Sequence, residues 1–153
     1  MTAIEVRLAH SPDREPLALL LNALWPDSSI DEHGVELSQI LAGNPPSTLP
    51  MIELVAVNGE TIIGFAEVGL RSHADGCEAD IPVGYLEGWY VAPGFRRQGI
   101  GSMLLLAAQE WARSRGCTEM ASDALIDNQL SQTVHARLGF QVVDCCVHYR
   151  KKL

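Results

Sequence analysis

The chain has 153 residues, 47% of them apolar and 20% charged, which suits one soluble domain with its own core and excludes whole-chain disorder or a fibre. No apolar run reaches the ~18 residues of a membrane span, and the amino terminus meets charge at once, so a cytoplasmic location without a secretory leader is expected. Eleven Lys and Arg stand against nineteen Asp and Glu, a net charge of −8; nucleic acid and anionic membranes are therefore not expected as partners, and the charge serves either solubility or a cationic ligand.

Ile4, Val6 and Leu8 alternate with Glu5 and Arg7, which predicts a strand. Ser11 and Pro12 then open a helix through Leu17, Leu20, Leu21 and Leu24, stopped by Pro26. Ser29 and Glu32 have the spacing of a capping box for a second helix through Ile30, Leu37 and Leu41. Met51–Val57 and Thr61–Leu70 read as a hairpin about Asn58-Gly59. A polar, acidic loop from His73 to Pro82 precedes a third strand of this array, Val83–Val91. A helix from about Gly101 to Arg115, a short strand Thr118–Ser122, a helix Asn128–Leu138 and a last strand Phe140–Tyr149 follow. The hairpin makes the middle strands antiparallel, and the β-α-β step across 83–122 makes one parallel pair. The fold class is α/β, a mixed and mostly antiparallel sheet flanked by helices.

Cys77, Cys117, Cys145 and Cys146 contain no CxxC pair, and the histidines do not complete a ligand spacing. All four read as reduced thiols, mostly in packing roles, and no metal is expected.

The stretch Val91–Ser102 (VAPGFRRQGIGS) carries the chemistry. A strand ends, two arginines pass, and glycines open a helix whose first amides have no intrahelical acceptor. Such a turn either caps the helix or holds a diphosphate against its backbone. The dinucleotide pattern GxGxxG and the GK[ST] of a phosphate loop are both absent.

Arg96-Arg97-Gln98-Gly99-Ile100-Gly101 is similar to the [QR]-x-x-G-x-[GA] acetyl-CoA motif of the GNAT family of N-acetyltransferases, and the element order resembles that fold over the whole chain, residues 1–153, as a single domain. More narrowly the chain resembles aminoglycoside 6′-N-acetyltransferases at Leu24-Trp25, Tyr85-Leu86-Glu87-Gly88, Ala121-Ser122-Asp123, Asn128 and His135–Phe140. The resemblance implies acetyl-CoA as co-substrate, with its arm entering between two splayed strands. Trp89, Tyr90 and Val91 would pair with the arm, Val91 N–H would serve as oxyanion donor, and Arg97, Gln98, Gly99, Ile100, Gly101 and Ser102 would hold the diphosphate. Asn128 would bond the arm or simply cap its helix. Trp25, His73, Glu87, Asp123 and Asp144 would line the acceptor pocket, where carboxylates suit the ammonium groups of an aminosugar. Each also has a plainer reading: Trp25 as core, His73 and Glu87 as surface, Asp123 as a cap and Asp144 as a solvated strand residue.

The implied chemistry is direct attack by a free amine, with Asp123 as the first choice of base and Glu87 the second. Where relatives place a tyrosine as proton donor to sulfur, this chain has His135; either it replaces the tyrosine, or no acid is needed and the ring packs or faces solvent. Two further readings stay open: transfer to another amine (a protein amino terminus, lysine or polyamine) and a non-catalytic acyl-CoA sensor. A homodimer is expected only from the resemblance.

Overall fold

The computed structural model describes residues 3–78 and 80–153. One sheet runs in the order β1 (Ile4–Leu8), β2 (Met51–Asn58), β3 (Thr61–Arg71), β4 (Val83–Val91) and β5 (Met120–Ser122). The first four strands are antiparallel and β4–β5 is parallel, which is the expected mixed sheet. The hairpin forms with its turn one residue later than expected: Asn58 pairs with Thr61 and the two turn residues are Gly59 and Glu60, with Gly59 at φ 63° where a side chain would be strained.

Two helices, α1 (Arg14–Leu24) and α2 (Ile30–Leu41), cover one face of the sheet. Leu17, Leu21 and Leu37 pack there on Val55, Val57 and Phe65. Phe65 is wholly buried, a burial of about 1.5–3 kcal/mol. The start of α1 differs from expectation: Ser11–Asp13 form a 3-10 turn, and Asp13 accepts from His10 N–H at 2.7 Å and from Arg7. The capping box of α2 is complete, since Ser29 Oγ accepts from Glu32 N–H (3.1 Å) and Glu32 Oε2 from Ser29 N–H (2.7 Å).

Helix α3 (Ile100–Ser114) covers the other face, with Ile100, Leu104, Leu105 and Ala108 against Ile63, Ala66, Val68 and Leu86. Helix α4 (Gln129–Arg137) follows β5 and ends at Gly139, φ 91°.

The expected last strand, Phe140–Tyr149, does not form. Phe140 packs on the α3 core, and Val143 meets the loop at Gly76, where a Cβ would collide with it. Beyond these the tail is open, with Val142 83% and Tyr149 92% exposed. A strand needs a ladder partner as well as β-branched residues, and among the described residues the tail has none. The cysteine expectation holds for Cys117, which is buried, but Cys145 and Cys146 are exposed on that tail.

Candidate active site

The site begins where the sheet forks. Strand β5 pairs with β4 only at Gly84–Met120, Tyr85–Ala121 and Leu86–Ser122. Strand β4 continues to Val91, bonded on its other side to β3, so Glu87–Val91 present an unpaired edge. Ala92 N–H bonds to Ile63 O on β3. By the alternation of the strand, the amides of Val91 and Trp89 therefore face the gap. Trp89 lies nearer the fork, and Val91 lies at the far end beside α3.

At that far end the chain turns through Pro93–Phe95 into α3. Arg97 has φ 62° and Gly99 φ 79°. Among the described residues Arg97 is the one non-glycine in this left-handed region; alternating with Gly99, it builds a turn of the kind whose amides gather around an anion. Helix α3 starts at Ile100, so the amides of Ile100, Gly101 and Ser102 lie in its unpaired first turn. Arg97, Gln98 and Gly99 are exposed, whereas Ile100 is buried and anchors the turn. Arg96 is committed elsewhere: its Nε donates to Val91 O at 2.7 Å, and its guanidinium lies 5.3 Å from the Tyr90 ring centre. A Cβ on Gly101 would lie 3.0 Å from the Trp89 ring, whose Nε1 is buried without a partner. An open strand edge, free amides and an orphaned indole N–H fit a long ligand with a diphosphate at one end.

A cleft of about 230 Å³ opens at the fork, lined by Trp25, Leu86, Glu87, Gly88, Trp89, Ser122, Asp123, Asn128, Ser131 and His135 among others. Glu67 pairs with Gly88 and Val68 with Leu86, so Glu87 is the extra residue of a bulge. Arg71 clamps its carboxylate with two bonds, Nε to Oε1 at 3.0 Å and a terminal nitrogen to Oε2 at 2.8 Å. The same guanidinium lies 3.4 Å over the Tyr85 ring, and Tyr85 Oη–H donates to Asp123 Oδ2 at 2.8 Å. Burial and the Asp123 charge push the Tyr85 hydroxyl well above its ordinary pKa, so it remains a donor. Asp123 keeps Oδ1 for the cleft. The chain Arg71–Glu87 and Arg71–Tyr85–Asp123 thus ties together the two carboxylates expected to bind the acceptor. Sequence reasoning singled out neither Arg71 nor the Tyr85 hydroxyl; a lone arginine closing a strand opposite acidic residues was the available signal.

The Trp25 ring packs against Gly88, with the His33 ring stacked on it at 6.4 Å and Phe65 tilted at 6.3 Å. Its core and cleft readings therefore both apply. Asn128 Oδ1 caps α4 by accepting from Ser131 N–H at 3.1 Å, which leaves its amide nitrogen to donate. His135 Nε2 lies 2.9 Å from Ser122 Oγ, and Nδ1 2.7 Å from Ser131 O. His73 sits on the exposed loop and Asp144 on the open tail, outside the cleft lining.

Deeper on the same sheet face, Glu53 is 2% exposed and stands opposite Glu67. Both carboxyls have pKa values raised first by burial, and Glu53 also by Glu67. Neither Glu53 carboxyl oxygen has a hydrogen-bond partner among the described residues, so burial favours its neutral form. A separate recess of about 400 Å³ on α2 is lined by Ser28, Glu32, His33, Val35 and Glu36; it contains none of the fork residues. Among the described residues no group of His, Cys, Asp and Glu is arranged to hold a metal ion, and no helix is long and apolar enough to cross a membrane.

Known proteins share this arrangement. The chain is 43% identical over 148 residues to the aminoglycoside N(6')-acetyltransferase type 1 of Klebsiella aerogenes, covering 97% of this chain and 96% of that one. It is 44% identical over 135 residues to the protein of the same name from Serratia marcescens, covering 88% and 89%. Among solved structures, AAC(6')-Iy in complex with the bisubstrate analogue CoA-S-monomethyl-acetylneamine superposes with a TM-score of 0.89 at 33% identity, over 99% of this chain and 100% of that one. The sequence model of the acetyltransferase (GNAT) family matches residues 15–140, which span the forked strands and the glycine turn alike. By the match of that family model and the identity to these relatives, the chain belongs to the GNAT family of acetyltransferases.

Proposed function

We infer that the chain is an aminoglycoside 6′-N-acetyltransferase that moves the acetyl group of acetyl-CoA to a primary amine of the antibiotic, the chemistry of aminoglycoside resistance. The observation that carries this reading is the fork at Leu86–Ser122, with Glu87 and Asp123 placed beside an open strand edge. The relatives' names supply the acceptor class.

Acetyl-CoA supplies an activated acyl carbon when bound. The turn Arg97–Ser102 would hold its diphosphate and the β4 edge Trp89–Val91 its arm, with Asn128 donating from the opposite side. The sequence expectation placed the oxyanion donor at Val91; we assign it to the Trp89 amide, because that N–H is the gap-facing one nearest the carboxylates. Asp123 and Glu87 bind the ammonium groups, and Trp25 offers a ring face to sugar or cation. Asp123 Oδ1 accepts the proton the attacking amine must lose, while Tyr85 fixes the carboxylate through Oδ2.

We further propose one catalytic domain, a cytoplasmic location and a homodimer. The open tail motivates the dimer: its exposed Val142, Val147 and Tyr149 gain a ladder partner and burial only from a second copy. Asp144 would then act in the acceptor site only once that tail is seated, and His73 only if its loop folds toward the cleft.

The test is acetyl transfer to aminoglycosides with a 6′-amine, to those with a 6′-hydroxyl, and to a panel of lysine peptides and polyamines. Turnover confined to 6′-amines supports the assignment; turnover only on the other amines removes it. Asp123→Asn lowers kcat by ~10²-fold or more if Asp123 is the base; an unchanged rate removes that role.

A further inference from the structure

Ser122 is the last paired residue of β5 and stands at the apex of the fork. Its hydroxyl is 2.9 Å from His135 Nε2 and 3.2 Å from Leu86 O. On the other side of the ring, His135 Nδ1 is 2.7 Å from Ser131 O and 3.2 Å from Ser131 Oγ. A carbonyl oxygen only accepts, so Nδ1 carries the hydrogen in both charge states of the imidazole. Nε2 is then the atom that gains and loses a proton, and it faces Ser122. Trp89 and Phe140 hold the ring edge-on at 5.8 and 5.2 Å, which fixes this orientation. Ser122 and His135 both line the fork cleft, so the pair opens toward the place where the reacting thioester must sit if Asp123 is to meet the amine.

We propose that Ser122 is the residue that protonates the leaving sulfur, with His135 behind it as the proton source. As the carbon–sulfur bond breaks and its electron pair goes to sulfur, the Ser122 hydroxyl proton passes to sulfur. In the same step the Nε2 proton of the His135 imidazolium passes to Ser122 Oγ, so no serine alkoxide is formed. The products are a thiol, an intact serine and a neutral imidazole that keeps its Nδ1–H on Ser131 O; solvent then restores the Nε2 proton. The relay explains how a histidine set back behind a strand end can reach the sulfur. It rests on the acetyl-transfer reading above.

The test uses the thiol of bound CoA, whose thiolate absorbs in the ultraviolet and can be followed without turnover. Calorimetry first establishes that wild type, Ser122→Ala and His135→Gln all bind CoA. A hydroxyl and imidazolium aimed at sulfur favour the thiolate, so near pH 7.5 wild type holds about tenfold more bound thiolate than Ser122→Ala, equivalent to one pKa unit. Glu87 and Asp123 share the cleft and disfavour the thiolate in every variant, so the difference isolates the relay. Acetyl transfer falls by about 10²-fold in Ser122→Ala and His135→Gln, and Ser122→Thr, which keeps the hydroxyl, recovers most of the loss. Equal thiolate fractions in wild type and Ser122→Ala, with CoA bound to both, overturn the relay and leave the acetyl-transfer reading standing. Acetyl found covalently on Ser122 by mass spectrometry also overturns it. Failure of wild type to bind CoA overturns both.

Discussion

Gly88→Ala tests the coupling between the sheet and the acceptor wall. The Trp25 ring packs on Gly88, and a Cβ there would collide with Cη2 and stand 2.6 Å from Cζ2. Carbon atoms in contact prefer about 3.5–4.0 Å, so the ring must retreat by more than ~1 Å. His33 and Phe65 pack beside it, and Leu17, Ala18 and Leu21 of α1 are buried. Overpacking of this kind costs ~1–3 kcal/mol. At about 2–4 °C per kcal/mol for a domain of this size, Tm falls by ~2–12 °C. Displacing the ring also removes a face worth about 0.5–2 kcal/mol to a cation, so the acceptor KM rises roughly 2- to 30-fold. The acetyl-CoA KM stays within about twofold, because the α3 turn is untouched. Thermal unfolding and two-substrate kinetics read all three values. Unchanged Tm and unchanged acceptor KM refute the packing argument. Equal rises in both KM values show that β4, rather than Trp25, has moved.

Glu53→Gln removes a titration. Burial and Glu67 raise the folded pKa of Glu53 well above the ordinary value of 4.5. Between those two values the folded chain binds more protons than the unfolded one, so stability falls as pH rises through that window. The variant lacks this fall: urea unfolding gives converging stabilities near about pH 4 and a more stable variant at higher pH, whereas parallel curves refute the assignment. Arg71→Gln frees Glu87 from its clamp and Tyr85 from its cover; the acceptor KM rises roughly two- to fivefold, scaled to a partly exposed pair, with acetyl-CoA KM constant. A lower acceptor KM would instead show that Arg71 competes with the acceptor for Glu87. Ser29→Ala breaks the capping box of α2 and costs about 1 kcal/mol in chemical denaturation; no loss would mean that packing of Leu37 and Ile40 alone holds that helix end.

The features legible in the sequence are those fixed within a few residues of chain. Ser29 and Glu32 are three apart, and their two side-chain bonds form as the spacing predicts. The hairpin is legible from Asn58-Gly59 because turn chemistry is local, although the turn itself falls one residue later at Gly59-Glu60, and the Gly99–Ser102 start of α3 is recognisable for the same reason. The tail shows the converse: residues 140–149 have the composition of a strand, yet a strand is a relation between two segments, and among the described residues no second segment answers it. The site lies between these cases. Glu87 and Asp123 were legible through the family resemblance as acceptor-pocket carboxylates, but the clamp that orients them joins positions 71, 85, 87 and 123. Those positions converge because the β3–β4 register sets Arg71 opposite Val83 and strand alternation puts Tyr85 and Glu87 on that same face, while the bulge at Glu87 brings Gly88 onto it as well. Register and bulge are set by the summed fit of whole strands, so no short pattern announces them. Trp25 and Gly88 make the same point from the other wall. The glycine is needed for a ring sixty-three residues earlier in sequence, and its role appears only when helix α1 is laid across the sheet. Sequence proximity therefore reveals which groups hold the cofactor turn, while tertiary register decides which groups meet the amine.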